Sequence, residues 1–458
     1  MKTNTQIVLI LTSLMMMACA VSTPMSERQK SVSGAVNAPA TWAAKAGRHG
    51  DNIAKWPESF NDPLMLKFIE EGKANNLDLK TAAGNMEKAW LLAEKSGTAL
   101  KPSANLSLGR SQSGSADGGE STGNVNVGLT ASWELDVWGR IRAGVSGAEA
   151  SAQAAEADYV FAQHSLSANI AKTYLKAIEA KLQADITRNN IQILKKIMRI
   201  TLVKYDNGMS SGQDVAVNRA NLASAEEKLI TLEGSQRDAI RGLEILLGRY
   251  PNATTELPNV LPSLPLPPPA GVPSEILERR PDIVSAERKI ASAFDATDQA
   301  KAARLPSFSL TSSLNGSSAS LKDVLNPANL VWQLAANIAA PLFDGGKRKI
   351  DMKIATVEQK QAISNYAQTA LTAFSEVENN LDQGNVLSRR ESALSNVLKQ
   401  SSKAYRIASL RYKEGEIDLL DTLSIQQQSI AAESNLLSIK NAQLEQRINL
   451  YLSLGGSW

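Results

Sequence analysis

Apolar and polar residues alternate most strictly between Asn124 and Val137. Successive side chains of a strand lie on opposite faces, so this stretch predicts a strand with one apolar and one polar face. Taken alone, it favours a half-buried strand of a soluble sandwich over a strand of a transmembrane barrel. The residues of the apolar face are Val125, Val127, Leu129, Ala131, Trp133, Leu135 and Val137.

Helical periodicity dominates the chain on both sides of this strand. No Gly or Pro occurs from Ala148 to Asn207, which predicts a helix of about 65 residues, roughly 100 Å long, ending near Lys204. Its inner stripe carries Ala168, Ala171, Leu175, Ile178 and Leu182 at the spacing of coiled-coil packing. Further helices are predicted at 62–72, at 78–101 before Pro102, and at 213–247, and a short strand at 103–108 precedes a polar loop at 109–123.

The same plan occurs twice along the chain. From the corner after the strand onward, equivalent residues stand 207 positions apart without a gap, as in Gly139 with Gly346, Gly208 with Gly415 and Leu247 with Leu454. The second half has its own alternating strands at 308–314 and 330–342. Four such strands favour the membrane interpretation. The predicted organisation is a signal peptide at 1–18, a tether and short helix at 19–75, a first repeat at 76–250, a Pro-rich connector at 251–273 and a second repeat at 274–458.

The first residues have the features of a lipoprotein signal. Lys2 precedes an apolar run from Ile7 to Met17 that is too short to span a bilayer as a helix, and the only cysteine, Cys19, follows it. Residues 16–19 resemble a bacterial lipobox, which implies cleavage before Cys19, acylation of this residue and sorting to the outer membrane. Residues from Val21 to about Pro57 are predicted to form an extended tether.

Composition excludes several classes of function. The formal net charge is +3, from 49 basic and 46 acidic residues, and aromatic residues make up 5%, so no nucleic-acid partner is indicated. The only histidines, His49 and His164, cannot build a metal cluster or a catalytic triad, so we expect no enzyme and no cofactor. Glu134 and Asp136 are interpreted as polar lining of a lumen.

Four strands cannot close into a barrel, which begins at about eight. Three chains would supply twelve strands. The residues therefore predict a fold that is mainly α with a β-barrel segment closed by several chains, four strands from each, which the long helices would continue as a tunnel.

Several motifs occur over nearly the whole chain after the signal, at 133–140 (Trp-Glu-Leu-Asp-Val-Trp-Gly-Arg), 277–282 (Leu-Glu-Arg-Arg-Pro-Asp), 303–308, 341–346, 411–415 and 454–458 (Leu-Gly-Gly-Ser-Trp). Through these motifs the chain resembles the TolC-like outer membrane factors, specifically the lipoprotein channels of the OprM and NodT type. The resemblance implies a fold class that is mainly α with a β-barrel segment: a trimeric 12-stranded transmembrane β-barrel, four strands per chain, continued by a long periplasmic α-helical coiled-coil tunnel. It also implies that this homotrimer stands in outer-membrane lipid, docked on a periplasmic adaptor protein and an inner-membrane RND-type pump.

The resemblance also assigns residues at the two helix turns. It implies that these turns are periplasmic tips that contact the adaptor, and that a constriction lies just inside the returning helix. Ser424 stands where the family commonly has Asp, with Asp418 and Asp421 as other sources of charge. The implied adaptor contacts are Tyr205, Gly208, Met209, Ser210, Tyr412, Gly415, Glu416 and Ile417, and the implied gate is Leu420, Asp421 and Ser424.

The sequence leaves more than one function open. The first is an exit duct for small toxic compounds in a tripartite efflux system. The alternative is the outer-membrane duct of a type I protein secretion system, which would use the same architecture. A coiled-coil envelope spacer without a pore is a third possibility, and the four alternating strands argue against it.

Overall fold

A computed structural model describes residues 23–36, 38–44, 56–114, 116–117 and 122–456. Cys19 and His49 lie outside the described residues. The contacts within the chain divide it into two units, each containing segments of both repeats. The sheet unit comprises residues 1–37, 84–157 and 283–369, and the turn unit comprises residues 38–83, 158–282 and 370–458.

Helices make up most of the described chain, and two of them are 67 and 68 residues long. At 1.5 Å per residue each is about 100 Å in length, as the sequence predicts. The helices are α1 (Met25–Ser33), α2 (Pro63–Asn75), α3 (Leu77–Gly97), α4 (Arg140–Asp206), α5 (Gly212–Leu246), α6 (Ile276–Arg279), α7 (Pro281–Ala302), α8 (Lys347–Glu414) and α9 (Leu419–Ser453). The strands are β1 (Ser103–Ser113), β2 (Thr122–Leu135), β3 (Ser307–Ser318) and β4 (Leu330–Ala339).

The sheet unit is built on one four-stranded antiparallel sheet with the strand order β1-β2-β3-β4. The first strand continues to Ser113, so the predicted loop from Gly109 is shorter than expected. All eleven residues of β1 pair with β2, from Ser103 opposite Ser132 to Ser113 opposite Thr122. The backbone hydrogen bonds of this ladder extend the strand through Gly109, which the sequence pattern predicts to lie in the loop.

The core of the turn unit lies where the middle of α4 packs on α2, α5 and α9. Ala168, Ala171, Leu175 and Ile178 are completely buried, which confirms the predicted inner stripe. The small alanines allow close approach of neighbouring helices. Tyr174 lies on the same stripe, packs edge-on against Phe68 and donates from its hydroxyl to the Asp62 carboxylate at 2.8 Å. Asp62 in turn caps the first turn of α2.

The segment before α2 differs from the extended tether that the sequence predicts. Residues 25–33 form helix α1, and the prediction is wrong there. In the turn unit, the Trp42 indole donates to the carbonyl of Ala270 at 3.1 Å. The Glu378 carboxylate accepts the backbone N–H groups of Ala43 and Ala44 at 2.7 and 2.8 Å. Polar contacts with residues far along the chain order this segment, and a local sequence pattern does not reveal such contacts.

Candidate functional site

The sheet has one apolar and one polar face along its whole width. The register places Leu106 opposite Leu129, Leu129 opposite Leu314, and Leu314 opposite Trp332, which forms an apolar row across all four strands. These side chains are between 41% and 77% exposed, so none of the described residues covers the row. Exposed apolar surface of this extent requires an apolar environment or a partner. The same face carries Leu108, Val127, Leu310, Leu334 and Ile338.

The other face of the sheet is lined by short polar side chains. Asn105 lies opposite Thr130, Thr130 opposite Ser313, and Ser313 opposite Gln333. Hydrogen bonds cross between the strands on this face, as between the hydroxyls of Ser103 and Ser132 at 3.0 Å and from the Asn124 amide to Ser317 at 2.8 Å. This face is therefore suited to water, and the alternation predicted for β2 holds for the whole sheet.

The two outer strands each have one unpaired edge. In the described chain β1 pairs with β2 alone and β4 pairs with β3 alone. An open edge leaves a row of backbone N–H and C=O groups without partners, which lipid cannot satisfy. The sheet thus needs strands from elsewhere if its apolar face lies in a membrane.

The corner between β2 and α4 is fixed by its own charged residues. The Asp136 carboxylate accepts the N–H groups of Ile141 at 3.0 Å and Arg142 at 2.8 Å, and so caps the start of α4. Both oxygens of Glu134 accept from Arg140 at 2.8 Å. Both carboxylates thus hold the strand-to-helix corner together, and Glu134 lies on the polar face of the sheet, opposite Ser309. Their interpretation as lining of a lumen stays a prediction.

The equivalent corner between β4 and α8 is built in the same way. Asp344 accepts the backbone N–H groups of Gly346 at 2.9 Å and Arg348 at 3.2 Å. Donation from the N–H groups of Arg348 and Gly346 lowers the pKa of Asp344 below its usual value, although desolvation acts in the opposite direction. Side chains from the two corners, among them Trp138 and Phe343, line a cleft of about 580 Å³.

In the turn unit, the two long helices end in the same backbone motif. After α4, Gly208 has φ +71°, its N–H bonds to the carbonyl of Tyr205, and the N–H of Met209 bonds to the carbonyl of Lys204. After α8, Gly415 has φ +85°, and its N–H bonds to Tyr412 in the equivalent way. These are Schellman motifs, in which a left-handed residue closes the helix. Because glycine adopts positive φ without strain, the sequence predicts both turns correctly.

Each returning helix is capped by a side chain. Ser211 and Asp214 form a capping box at the start of α5, and the Asp418 carboxylate accepts the N–H of Asp421 at 2.8 Å at the start of α9. The bonds from the Ser211 backbone and the Ser210 hydroxyl lower the pKa of Asp214. Asp214 therefore stays charged at a position where its charge also favours the helix N-terminus.

The predicted tip residues are divided between an exposed surface and a buried contact. Met209 is 69% exposed and Tyr205 is 48% exposed. Tyr412 is only 4% exposed, and its hydroxyl bonds to that of Thr201 at 2.8 Å. Tyr412 thus supports the turn from inside and has little surface to offer a partner. Gly208, Gly415 and Glu416 are exposed, whereas Ser210 and Ile417 are half-buried.

Lys204, predicted from the sequence only as the end of the helix, links the ends of α4 and α8. The ammonium of Lys204 lies 4.2 Å from the centre of the Tyr412 ring and donates to the Tyr412 carbonyl. A cation above an aromatic ring is attracted to the negative face of the ring. The repeat could have indicated this position, because Lys204 is equivalent to Arg411, which forms an ion pair with Glu416 at 3.0 Å.

The predicted gate residues lie together on α9. Leu420, Asp421 and Ser424 are all exposed and occupy one face of its first two turns, since residues three and four apart are neighbours on a helix. The opposite face, with Leu419 and Leu423 both 3% exposed, packs into a core with the end of α4. The helix therefore presents an apolar, an acidic and a hydroxyl side chain away from its own core.

Two further properties of the described residues bear on function. None of the helices in the described ranges combines the length and the apolar character needed to cross a membrane. Within those ranges, no group of three or more His, Cys, Asp and Glu side chains is arranged to hold a metal ion.

Comparison with known proteins gives one consistent result. The family model "Outer membrane efflux protein" matches residues 68–249 and 272–456. The pyoverdine export outer membrane protein OpmQ of Pseudomonas aeruginosa is 28% identical over 92% of this chain and 91% of its own length. The cation efflux system protein CusC of Escherichia coli is 30% identical over 88% of both chains.

Solved structures agree with the sequence comparison. The open state of the MtrE outer membrane channel of Neisseria gonorrhoeae is 29% identical, with a TM-score of 0.83 over 92% of this chain and 96% of that chain. This agreement confirms the predicted mainly α fold with its small sheet and the predicted resemblance. The chain belongs to the outer membrane efflux protein family.

Proposed function

We propose that three copies of the chain form a twelve-stranded barrel in the outer membrane and act as a passive exit duct of a tripartite efflux system. The observation that carries this proposal is the two-faced sheet with two open edges. Because the four strands alternate in direction, β4 of one copy can pair antiparallel with β1 of the next. Three copies then satisfy every edge, with apolar side chains toward lipid and polar side chains toward a water-filled lumen.

Cysteine pairs across the open edges test the barrel. Ser107 of β1 and Gln333 of β4 both lie on the polar face and near the middle of their strands. A scan that combines S107C with cysteine at Gln333 or its neighbours on the same face is expected to give disulfide-linked dimers and trimers for one register. Cysteine pairs on β2 and β3 of different copies are the control and should not link. A protein that remains monomeric in every register contradicts the barrel.

The cargo is proposed to be small toxic compounds, expelled by an inner-membrane RND-type pump through a periplasmic adaptor. Relatives named for pyoverdine export and for cation efflux share the fold, which supports a duct that selects little among cargoes. A wide polar lumen offers few directed contacts, so selection is left to the pump. The duct itself carries out no chemical step.

The exposed residues of the two turns are proposed to contact the adaptor. Met209 and Glu416 stand at equivalent positions just after the helix-ending glycines, and both are exposed. A photoreactive residue at Met209 is expected to capture a periplasmic adaptor in cells, and one at the exposed Ser235 on α5 serves as the matched control. Capture of an adaptor of a drug pump supports efflux. Capture of an adaptor of a protein secretion system would replace efflux by protein export.

The gate is proposed to lie at Leu420, Asp421 and Ser424, where three copies of α9 would bring nine side chains together. Ser424 stands where the family commonly has Asp, and Asp421 supplies the acidic group of this site instead. Replacing Asp421 by asparagine is expected to reduce the preference of the channel for cations in a planar bilayer, because the ring of carboxylates is lost. An unchanged ion selectivity would contradict an acidic constriction at this position.

Lipid anchoring at Cys19 completes the proposed placement in the outer membrane. The lipobox-like segment before Cys19 supports it. Mass spectrometry of the N-terminal peptide is expected to show a thioether-linked diacylglyceryl group and an N-acyl chain on Cys19. An unmodified peptide beginning at another residue would contradict the anchor without affecting the barrel.

A further inference from the structure

Residues 23–33 are attached to helix α7 by polar contacts to two buried carboxylates. The backbone N–H and the hydroxyl of Thr23 donate to the two oxygens of Asp298, both at 2.7 Å. The guanidinium of Arg28 donates to Asp295 at 2.7 Å and to Asp298 at 2.8 Å. Asp295 and Asp298 are only 5% and 3% exposed.

Two cations complete a closed ring of contacts around Asp298. Arg28 also donates to the carbonyl of Thr23 at 3.3 Å and lies 5.6 Å from the centre of the Phe294 ring. Lys301 donates to Asp298 at 3.0 Å and to the Thr23 hydroxyl at 3.2 Å. Burial acts to raise the pKa of Asp298, but donation from Thr23 and Lys301 outweighs it, so the pKa lies below its usual value and the carboxylate is charged. We call Thr23, Arg28, Asp295, Asp298 and Lys301 the N-terminal clasp.

Among the described residues, the clasp attaches this segment to α7 through polar groups. None of the residues of α1 is buried, and Met25 is 79% exposed, so apolar packing contributes little to holding the helix in place. A buried carboxylate that loses its cationic partner is costly, because the charge is then left without compensation. The position of the segment therefore depends on a few specific polar groups.

The clasp lies close to the sheet along the chain. Asp298 lies in the last two turns of α7, and β3 begins at Ser307, nine residues later. Thr23 follows Cys19 by four residues, which span at most about 14 Å even when fully extended. An acyl chain on Cys19 is thus confined to the neighbourhood of the end of the sheet at which its strands join the helices.

We propose that the N-terminal clasp positions the lipid anchor. It fixes the depth at which acylated Cys19 enters the bilayer relative to the sheet. This inference rests on the proposed lipid anchoring. Only residues 20–22 separate Cys19 from the clasp in the sequence, so the clasp limits how far the anchor can lie from the sheet. Arg28 and Asp298 are positioning residues in this scheme, because they act by holding the segment after Cys19 and not by contact with the lipid.

Hydrogen exchange of the complete lipidated protein in nanodiscs tests the clasp itself. We expect exchange of the amides at 23–33 to be at least tenfold faster in D298N and in R28Q than in the unaltered protein. The control variants K30Q and E27Q remove charges from the same helix without touching the clasp, and should leave exchange unchanged. Equal exchange in all variants, or an unprotected segment in the unaltered protein, would overturn the clasp.

A spin label on α1 tests whether the clasp positions the lipid anchor. Once Cys19 is acylated its sulfur is a thioether, so S26C supplies the only free thiol of the chain. Accessibility to oxygen and to a water-soluble relaxant is expected to report one narrow depth, which broadens when D298N is added. If Cys19 carries lipid and the distribution of depths does not change with D298N, the proposal that the clasp positions the anchor is overturned. If Cys19 proves unmodified while the segment is protected, the anchoring proposal fails and the clasp remains a structural contact.

Discussion

Replacing Tyr412 by phenylalanine is expected to loosen the link between the ends of α4 and α8. The substitution removes the 2.8 Å bond to the Thr201 hydroxyl and keeps the buried ring. A net hydrogen bond of this kind contributes about 0.5–1.5 kcal/mol. If the link holds the tip in a closed arrangement, its loss shifts the equilibrium between closed and open tips by roughly 2- to 13-fold.

Single-channel recording in planar bilayers measures this shift as an increase in the fraction of time spent open. The repeat supplies a matched control, because Tyr205 is the equivalent of Tyr412 and is 48% exposed. The same chemical change at Tyr205 removes no hydrogen bond to a buried group among the described residues, so the open fraction of Y205F should equal that of the unaltered channel.

A second substitution tests the cation in the same link. Replacing Lys204 by methionine removes a cation–π contact of about 0.5–1 kcal/mol and a charge-assisted bond of about 1.5–3 kcal/mol. The expected total of about 2–4 kcal/mol is larger than that of Y412F. The effects of the two changes should be non-additive, because the Lys204 ammonium contacts the same tyrosine whose hydroxyl Y412F removes. Equal behaviour of Y412F and Y205F, together with additive effects of Y412F and K204M, would refute the reasoning.

Three further predictions concern stability. Burial and the charge of Lys73 lower the pKa of His164 to about 4 from 6.5, so the unfolded state takes up the proton first. Stability is then full above pH 6.5 and declines by about 2–3 kcal/mol as the pH falls to 4, and thermal melts of H164N should show a flatter pH profile. On the apolar face of β4, L334R should cost about 2–4 kcal/mol in bilayer folding assays, whereas Q333R on the polar face should be tolerated. G248A should destabilise the protein in denaturant titrations, because Gly248 has φ +73° and an added Cβ would lie 2.8 Å from the backbone of Asn75. By contrast G234A, which meets no atom within 4 Å in a helix, should stabilise it by about 1 kcal/mol.

Much of the fold could be predicted because its signals are local or periodic. The alternation of Val125 to Leu135 places the faces of β2, the second strand pair shows its own alternation, and the constant offset of 207 residues relates the two turns. Glycine at 208 and 415 marks the helix ends, since positive φ strongly favours this residue. Element boundaries were less accurate, as at β1, because the ladder with β2 extends it beyond its apolar residues.

The environment of single residues could not be predicted in this way. Tyr205 and Tyr412 are equivalent in the repeat and the sequence analysis assigns them one role, but the structure buries only the second. The difference arises from Thr201 and Lys204, which are 211 and 208 residues away from Tyr412 along the chain. The bond from Arg140 to Glu134 could not be predicted for a similar reason, since it forms only when the corner folds back.

The sequence by itself determined the elements, the repeat and the family, because hydrophobic period, helix-ending glycines and short motifs act over a few residues. Only the tertiary structure decided which polar groups pair across the fold. Arg28 and Asp295 are separated by 267 residues, and neither has a pattern around it that names the other. The sequence pattern predicts a tether before α2, but the structure has an attached helix there. A charge removed from water requires a partner, and Arg28 of this helix is the partner of the two buried carboxylates on α7.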